Sequence, residues 1–138
     1  MLLVKTTIGE SKINNISLFA GEFIPTGKII WQWHHGFDQI FDPNDVDTLP
    51  EPASTLLIQR AYFSKYLQKY VLCGDDARFM NHSTTPNTRD SGGHDFQGTT
   101  IAIRDIQPNE EITINYFEYD EDATWKVTNS EPIKRNKE

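Results

Sequence analysis

The densest run of chemically able side chains is Arg78-Phe79-Met80-Asn81-His82-Ser83-Thr84-Thr85-Pro86-Asn87, which packs hydrogen-bonding residues, an apolar pair and a proline together. A surface loop rarely needs an Asn-His pair flanked by Phe and Met. Asn and His side chains bind an ammonium, a carboxylate or an adenine edge, and backbone groups at a strand end do likewise. By itself the run marks a polar pocket, because an isolated histidine is more often a satisfied structural one. Metal chemistry finds little support. The four histidines are His34, His35, His82 and His94. Adjacent histidines in a strand point to opposite faces, so His34 and His35 would rarely share an ion. The single cysteine, Cys73, builds neither a thiolate zinc site nor an internal disulfide. No metal is expected. No glycine-rich phosphate loop precedes a helix, and no Gly-x-Ser-x-Gly suggests a hydrolase.

The elements that must position this run read as short strands. Apolar stretches at Leu2 to Ile8, Ile16 to Ala20, Lys28 to Trp33, Tyr70 to Cys73, Thr99 to Ile103 and Glu111 to Tyr116 have strand lengths. Turn signals at Pro25-Thr26-Gly27, Ser91-Gly92-Gly93, Gln97-Gly98 and Pro108-Asn109-Glu110 separate them. One short helix is predicted from about Ala53 to Tyr62, after Pro50 and Pro52. The fold expected is mainly β with one helical insert. Beyond Trp125 the chain turns polar and charged, ending Lys134-Arg135-Asn136-Lys137-Glu138, and reads as a frayed tail.

A chain of 138 residues fits one domain. With 37% hydrophobic and 24% charged residues it has the composition of an ordinary globular protein. No apolar run approaches a membrane span or the core of a signal peptide, and the cysteine usage calls for no oxidising compartment, so a cytoplasmic location is expected. The 13 Lys and Arg against 20 Asp and Glu give a net charge of −7, which disfavours nucleic acid and anionic membrane and favours basic partners. Acidic residues gather at Asp42, Asp45, Asp47 and Glu51, and again at Glu118, Asp120, Glu121 and Asp122. Solvated acidic faces are the first reading of both groups, with steering of a lysine-rich segment second.

The run from Arg78 to Asn87 resembles the third signature of SET domains, commonly Arg-Phe-x-Asn-His-Ser-Cys-x-Pro-Asn, with Thr84 in place of the Cys. Asn109-Glu110-Glu111-Ile112-Thr113-Ile114-Asn115-Tyr116 resembles the fourth, commonly Gly-Glu-Glu-Leu-Thr-x-Asp-Tyr. Ser11 to Ala20, continued by Phe23-Ile24-Pro25-Thr26-Gly27, is similar to the first, with Asn15-Ile16-Ser17 where the family usually carries Gly-x-Gly. Those glycines let backbone approach the cofactor, and Asn tolerates the left-handed conformation that glycine supplies. The resemblance spans residues 3 to 117, with a SET domain expected over 1–120 and a flank over 121–138.

The resemblance implies a β-rich fold with a knot-like crossing near the C-terminus, S-adenosylmethionine on one face and a substrate lysine entering from the other. The activity implied is protein-lysine N-methylation of a basic protein segment. Tyr116 would be the catalytic tyrosine, orienting the amine. Asn14, Ile16, Arg78, Phe79, Asn81 and His82 would hold the cofactor, and Tyr62 would border the lysine channel or the cofactor. Ile114, two residues before Tyr116, leaves the number of methyl groups open. A cysteine-rich zinc segment that closes the channel in many relatives is absent here, so Phe117, Tyr119 or Trp125 would form the lid, or a partner subunit of a homodimer would supply it. The competing reading is a noncatalytic SET-fold interaction module that lost turnover with the glycines and the Cys. If Trp125 covers the adenine or the channel mouth, Trp125→Ala lowers cofactor affinity or turnover in a titration and a rate assay; no change in either removes that assignment.

Overall fold

A computed structural model describes residues 1–91 and 98–135. The expected turn at Gly92-Gly93, His94, Gln97 and the last three residues of the tail lie outside the described residues. Strand β1 (Thr6–Glu10) and β2 (Ile16–Ala20) form an antiparallel hairpin from Thr6↔Ala20 to Glu10↔Ile16. Its turn closes because the Ser11 N–H donates to the Asn15 carbonyl at 2.7 Å and Ser11 Oγ accepts from the Ile13 N–H at 2.9 Å. Asn15 takes φ 42°, the left-handed region that Asn tolerates. Strand β9 (Thr99–Ala102) lies between β3 (Ile29–Gln32) and β8 (Thr88–Asp90), antiparallel to both. A third sheet has β6 (Tyr70–Leu72) between β4 (Gln39–Phe41) and β5 (Tyr62–Phe63).

Where one helical insert was expected, three helices are present among the described residues. The first, α1 (Pro43–Asp47), starts at Asp42, whose side chain accepts from the Asn44 N–H at 3.0 Å, with Pro43 in the first turn. The predicted helix is α2 (Glu51–Arg60), two residues earlier than expected because Ala61 is extended and Tyr62 opens β5. Leu57 is its buried residue, so it presents little apolar face to the core. The third, α3 (Ala123–Thr128), lies in the stretch read as a tail and ends at Asn129 with φ 58°, a left-handed cap. The frayed-tail expectation is therefore corrected as far as Arg135, whose side chain packs back on the body. Among the described residues, no helix is long and apolar enough to cross a membrane.

The third and fourth signatures meet as two short parallel strands, β7 (Asn81–His82) and β10 (Thr113–Ile114), with Thr113 opposite Asn81 and Ile114 opposite His82. The expected six-residue strand at Glu111 to Tyr116 shrinks to two because side chains, not another strand, satisfy its outer edge. The Thr113 N–H donates to Asn87 Oδ1 at 2.8 Å, and the Thr113 carbonyl accepts from Thr88 Oγ at 2.8 Å. Asn87 Nδ2 donates to the Glu111 carbonyl at 2.7 Å. Beneath this junction Leu18, Ile24, Ile30, Met80, Ile112 and Ile114 form the principal core. Smaller clusters lie around Val46, Leu57, Phe63 and Tyr70 and around Trp31, Cys73 and Ala77.

Asn87 is 1% exposed, so truncating it leaves the Thr113 N–H and the Glu111 carbonyl without partners in the interior. Asn87→Ala should cost about 2–4 kcal/mol, read as a lower denaturant midpoint at unchanged slope. An unchanged midpoint removes the clamp from the stability argument.

Candidate active site

Where the three apolar clusters approach one another they leave a cavity of about 80 Å³, walled by the rings of Trp31, Tyr62, Tyr116 and Tyr119. At roughly 10–15 Å³ for one water by the same measure, this admits a few waters or an unbranched aliphatic stem. Cys73, Met80 and Ile114 complete the apolar wall, and Asp90, Asp120 and Lys126 bring charge to it. Tyr62 and Tyr119 meet edge to face at 4.9 Å between centroids, and Tyr119 meets Tyr116 at 6.4 Å. Burial pushes all three phenols above their ordinary value, with nearby Asp120 adding to the effect. Burial, then the carboxylates of Asp38 and Asp75, pushes the Cys73 thiol up to about 12, so it is a neutral wall atom.

Tyr116 is fixed at both ends. Its hydroxyl donates to the Met80 carbonyl at 2.5 Å, and its N–H donates to His82 Nδ1 at 3.1 Å. Burial lowers the His82 pKa, so the ring is neutral at neutral pH, and an accepting Nδ1 places its proton on Nε2. The ring lies 5.4 Å from that of Tyr116 and 5.5 Å from that of Phe117, which is exposed.

Asn81 joins this junction to the hairpin turn. Its Nδ2 donates to the Asn14 carbonyl at 3.0 Å and to Ser11 Oγ at 3.1 Å, with Glu111 Oε2 at 3.3 Å. Ser11 Oγ in turn donates to Glu111 at 2.8 Å. A carbonyl and a carboxylate only accept, which assigns the amide's orientation. Ile16 begins β2 and is half-exposed beside this turn. Arg78 borders the slot while holding two carbonyls of the preceding loop, Cys73 at 2.9 Å and Asp75 at 3.3 Å. Phe79 lies under the Arg60 guanidinium, 5.0 Å away. Trp125 sits on α3 with its Nε1 buried and without a hydrogen-bond partner; its neighbour Lys126, and not Trp125, borders the slot. Of the residues singled out in the sequence, Tyr62, Arg78 and Tyr116 thus share the slot, and Asn14 and Asn81 share the turn. His82 bridges the two groups. Trp31 and Lys126 lie outside both motifs, where the only signal was their type, and Tyr119, expected as a lid, forms part of the slot wall.

The second acidic group is a solvated face only in part: Glu118 and Glu121 are exposed, and the other two are not. Asp120 is 2% exposed and Asp122 0%. Asp120 Oδ1 accepts from the N–H groups of Phe63 and Asp122, both at 2.9 Å, and its Oδ2 pairs with Lys126 Nζ at 2.7 Å. Among the described residues, no group of three or more His, Cys, Asp or Glu is placed to hold a metal ion.

The family model described as "SET domain" matches residues 15–117. The chain belongs to the SET-domain family. Solved structures with the same SET fold include a Plasmodium falciparum protein described as a candidate histone methyltransferase, 20% identical with a TM-score of 0.57 over 83% of this chain and 95% of that one. They also include Chaetomium thermophilum Polycomb Repressive Complex 2 bound to GSK126, 20% identical with a TM-score of 0.66 over 91% of this chain and 17% of that one. The same complex in an autoinhibited conformation bound to S-adenosylmethionine gives 18%, 0.62, 90% and 16%. The chain therefore spans about a sixth of the Polycomb chains and nearly all of the Plasmodium one. No curated protein sequence matches it.

The SET-domain turn here departs from Gly-x-Gly, and the geometry absorbs the first change, because Asn15 supplies a left-handed φ of 42°. Ser17 is 0% exposed, with its Oγ buried and without a hydrogen-bond partner.

Because the folded-state pKa of His82 is depressed, its Nδ1 acceptor is intact above about pH 6.5 and is lost as pH falls through the lower folded value. Hydrogen exchange at the Tyr116 amide, compared with Ile114, should accelerate over that range in the native chain. An equal response of the two amides would show that His82 does not hold Tyr116.

Proposed function

We propose that this SET domain is an S-adenosylmethionine-dependent protein-lysine N-methyltransferase acting on a basic protein segment. The observation that carries the reading is the attachment of Tyr116, the last residue of the fourth signature, to the third at two points: its N–H is held by His82 while its hydroxyl is held by the Met80 carbonyl inside the aromatic slot. S-adenosylmethionine, when bound, supplies a methyl group already activated as a sulfonium. The turn at Asn14 to Ile16, with Asn81 and His82, would hold it, and Phe117 would flank its base. That the Polycomb structure of the same fold carries this molecule supports the assignment.

The chain's own task is to present a neutral amine in line. A lysine with pKa about 10.4 costs roughly 4 kcal/mol to deprotonate near pH 7.4, at about 1.4 kcal/mol per unit. Four aromatic rings line the slot and favour the neutral amine by desolvation, while the carboxylates of Asp90 and Asp120 in its wall draw a cation in. The Tyr116 hydroxyl donates its hydrogen bond to the Met80 carbonyl, so toward the amine its oxygen can only accept, which orients an N–H. Its raised pKa keeps it neutral, and it therefore positions and does not remove the proton. Net charge −7 favours encounter with basic segments.

Incubation with radiolabelled S-adenosylmethionine and a panel of basic proteins should label lysine, and Tyr116→Phe should lower the rate by about 10²-fold at matched cofactor occupancy. The rate should climb from about pH 7 toward 9 as the slot-bound amine loses its proton, with no fall from the tyrosines, whose raised pKa values lie beyond that range. Binding of a basic protein without cofactor binding would favour the interaction module instead.

A further inference from the structure

The segment after the catalytic tyrosine carries a built cation site that the proposed reaction does not use. The Arg135 guanidinium carbon lies 3.5 Å from the centroid of the Phe63 ring. Its Nη1 donates to Tyr70 Oη at 2.9 Å and its Nη2 to Asp122 Oδ1 at 2.7 Å. Phe63 and Tyr70 are each 3% exposed, meet edge to face at 4.9 Å, and with the fully buried Asp122 form the floor of the site. A ring face below, a carboxylate beside and a phenol oxygen at the other edge suit a flat, forked cation better than a compact ammonium.

Two observations show that Arg135 fills this cradle incompletely and by a slender attachment. Asp122 Oδ2 is buried with no hydrogen-bond partner, so the resident arginine uses one carboxylate oxygen where a guanidinium fork can take two. Residues 129–134 are all exposed, and Ser130 ties the segment back to α3 through its N–H to the Trp125 carbonyl at 3.0 Å. Arg135 is therefore the main anchor of the stretch that carries it.

We infer that the Phe63–Tyr70–Asp122 cradle is an arginine-binding subsite for the basic segment that is methylated, occupied in the free chain by Arg135 as a competitor in cis. The carrier of that arginine rests on the methyltransferase reading; the cradle itself does not. Cradle and slot lie on opposite sides of β5, since the consecutive strand residues Tyr62 and Phe63 point to opposite faces, and Asp120 joins them: it lines the slot, and its Oδ1 binds the N–H groups of Phe63 and Asp122. The chain's charge of −7 and the buried carboxylate at its centre match a cationic guest.

The probe is N-acetyl-arginine methylamide, with its uncharged citrulline counterpart as control, titrated without cofactor and followed by the ring resonances of Phe63 and Tyr70. Removing the cis competitor in Arg135→Ala should let the arginine compound saturate at about tenfold lower concentration than in wild type, because the site is then free. The citrulline compound should move neither ring, and adding Tyr70→Phe should weaken the arginine response. In the wild-type chain, which needs no variant to fold, high concentrations should displace the tail and narrow the Ile133 methyl resonance. Equal effects of the two compounds, or no ring response in either protein, overturn the cradle. Since the readout needs neither cofactor nor turnover, a failed methylation assay leaves it standing, and lysine labelling without arginine discrimination removes it alone.

Discussion

Two residues paired with two residues make too short a ladder to survive in water, yet the site is assembled on such a pairing, Asn81-His82 against Thr113-Ile114. Its persistence comes from the flanks. Asn87 and Thr88 take the backbone groups of Thr113 on the open edge, and Met80, Ile112 and Ile114 bury their side chains beneath. Once that junction is fixed, His82 reaches the Tyr116 N–H, Met80 presents its carbonyl to the phenol, and Asn81 reaches the hairpin turn. Tyr116, His82, Asn81 and the turn at Asn14 are thus tied to one backbone crossing.

The crossing also explains the division of labour among polar groups. Asn87, almost unexposed, spends its whole amide on structure, whereas Asn81 stands at the boundary between core and open turn. Side by side in one sequence motif, two asparagines differ in role because one faces the interior edge of β10 and the other faces Ser11 and Asn14.

The amino-acid sequence carried the fold class and the strands that are long and apolar. Ile16–Ala20 was read to the residue, and Thr99–Ala102 to within one. It could not show β5 or β7 at two residues each and overran β10, since no periodicity exists in two positions and their pairing depends on partners distant in the chain. The motif residues were legible as a set, but not the aromatic slot: Trp31 and Tyr119 join Tyr62 and Tyr116 only after folding. The acidic run at 118–122 misled for a related reason. Composition predicts solvation, but the cations that neutralise Asp120 and Asp122 come from Lys126 and Arg135, beyond the run itself.

Those two ion pairs make the stretch through Arg135 part of the body's electrostatics. Leaving a buried charge unpaired costs about 3–5 kcal/mol, so Asp120 and Asp122 are kept in the interior by Lys126 and Arg135. A protease cut between α3 and Arg135 would therefore leave Asp122 without its balancing cation, next to the residues that carry the aromatic slot, although it removes none of the slot's own side chains.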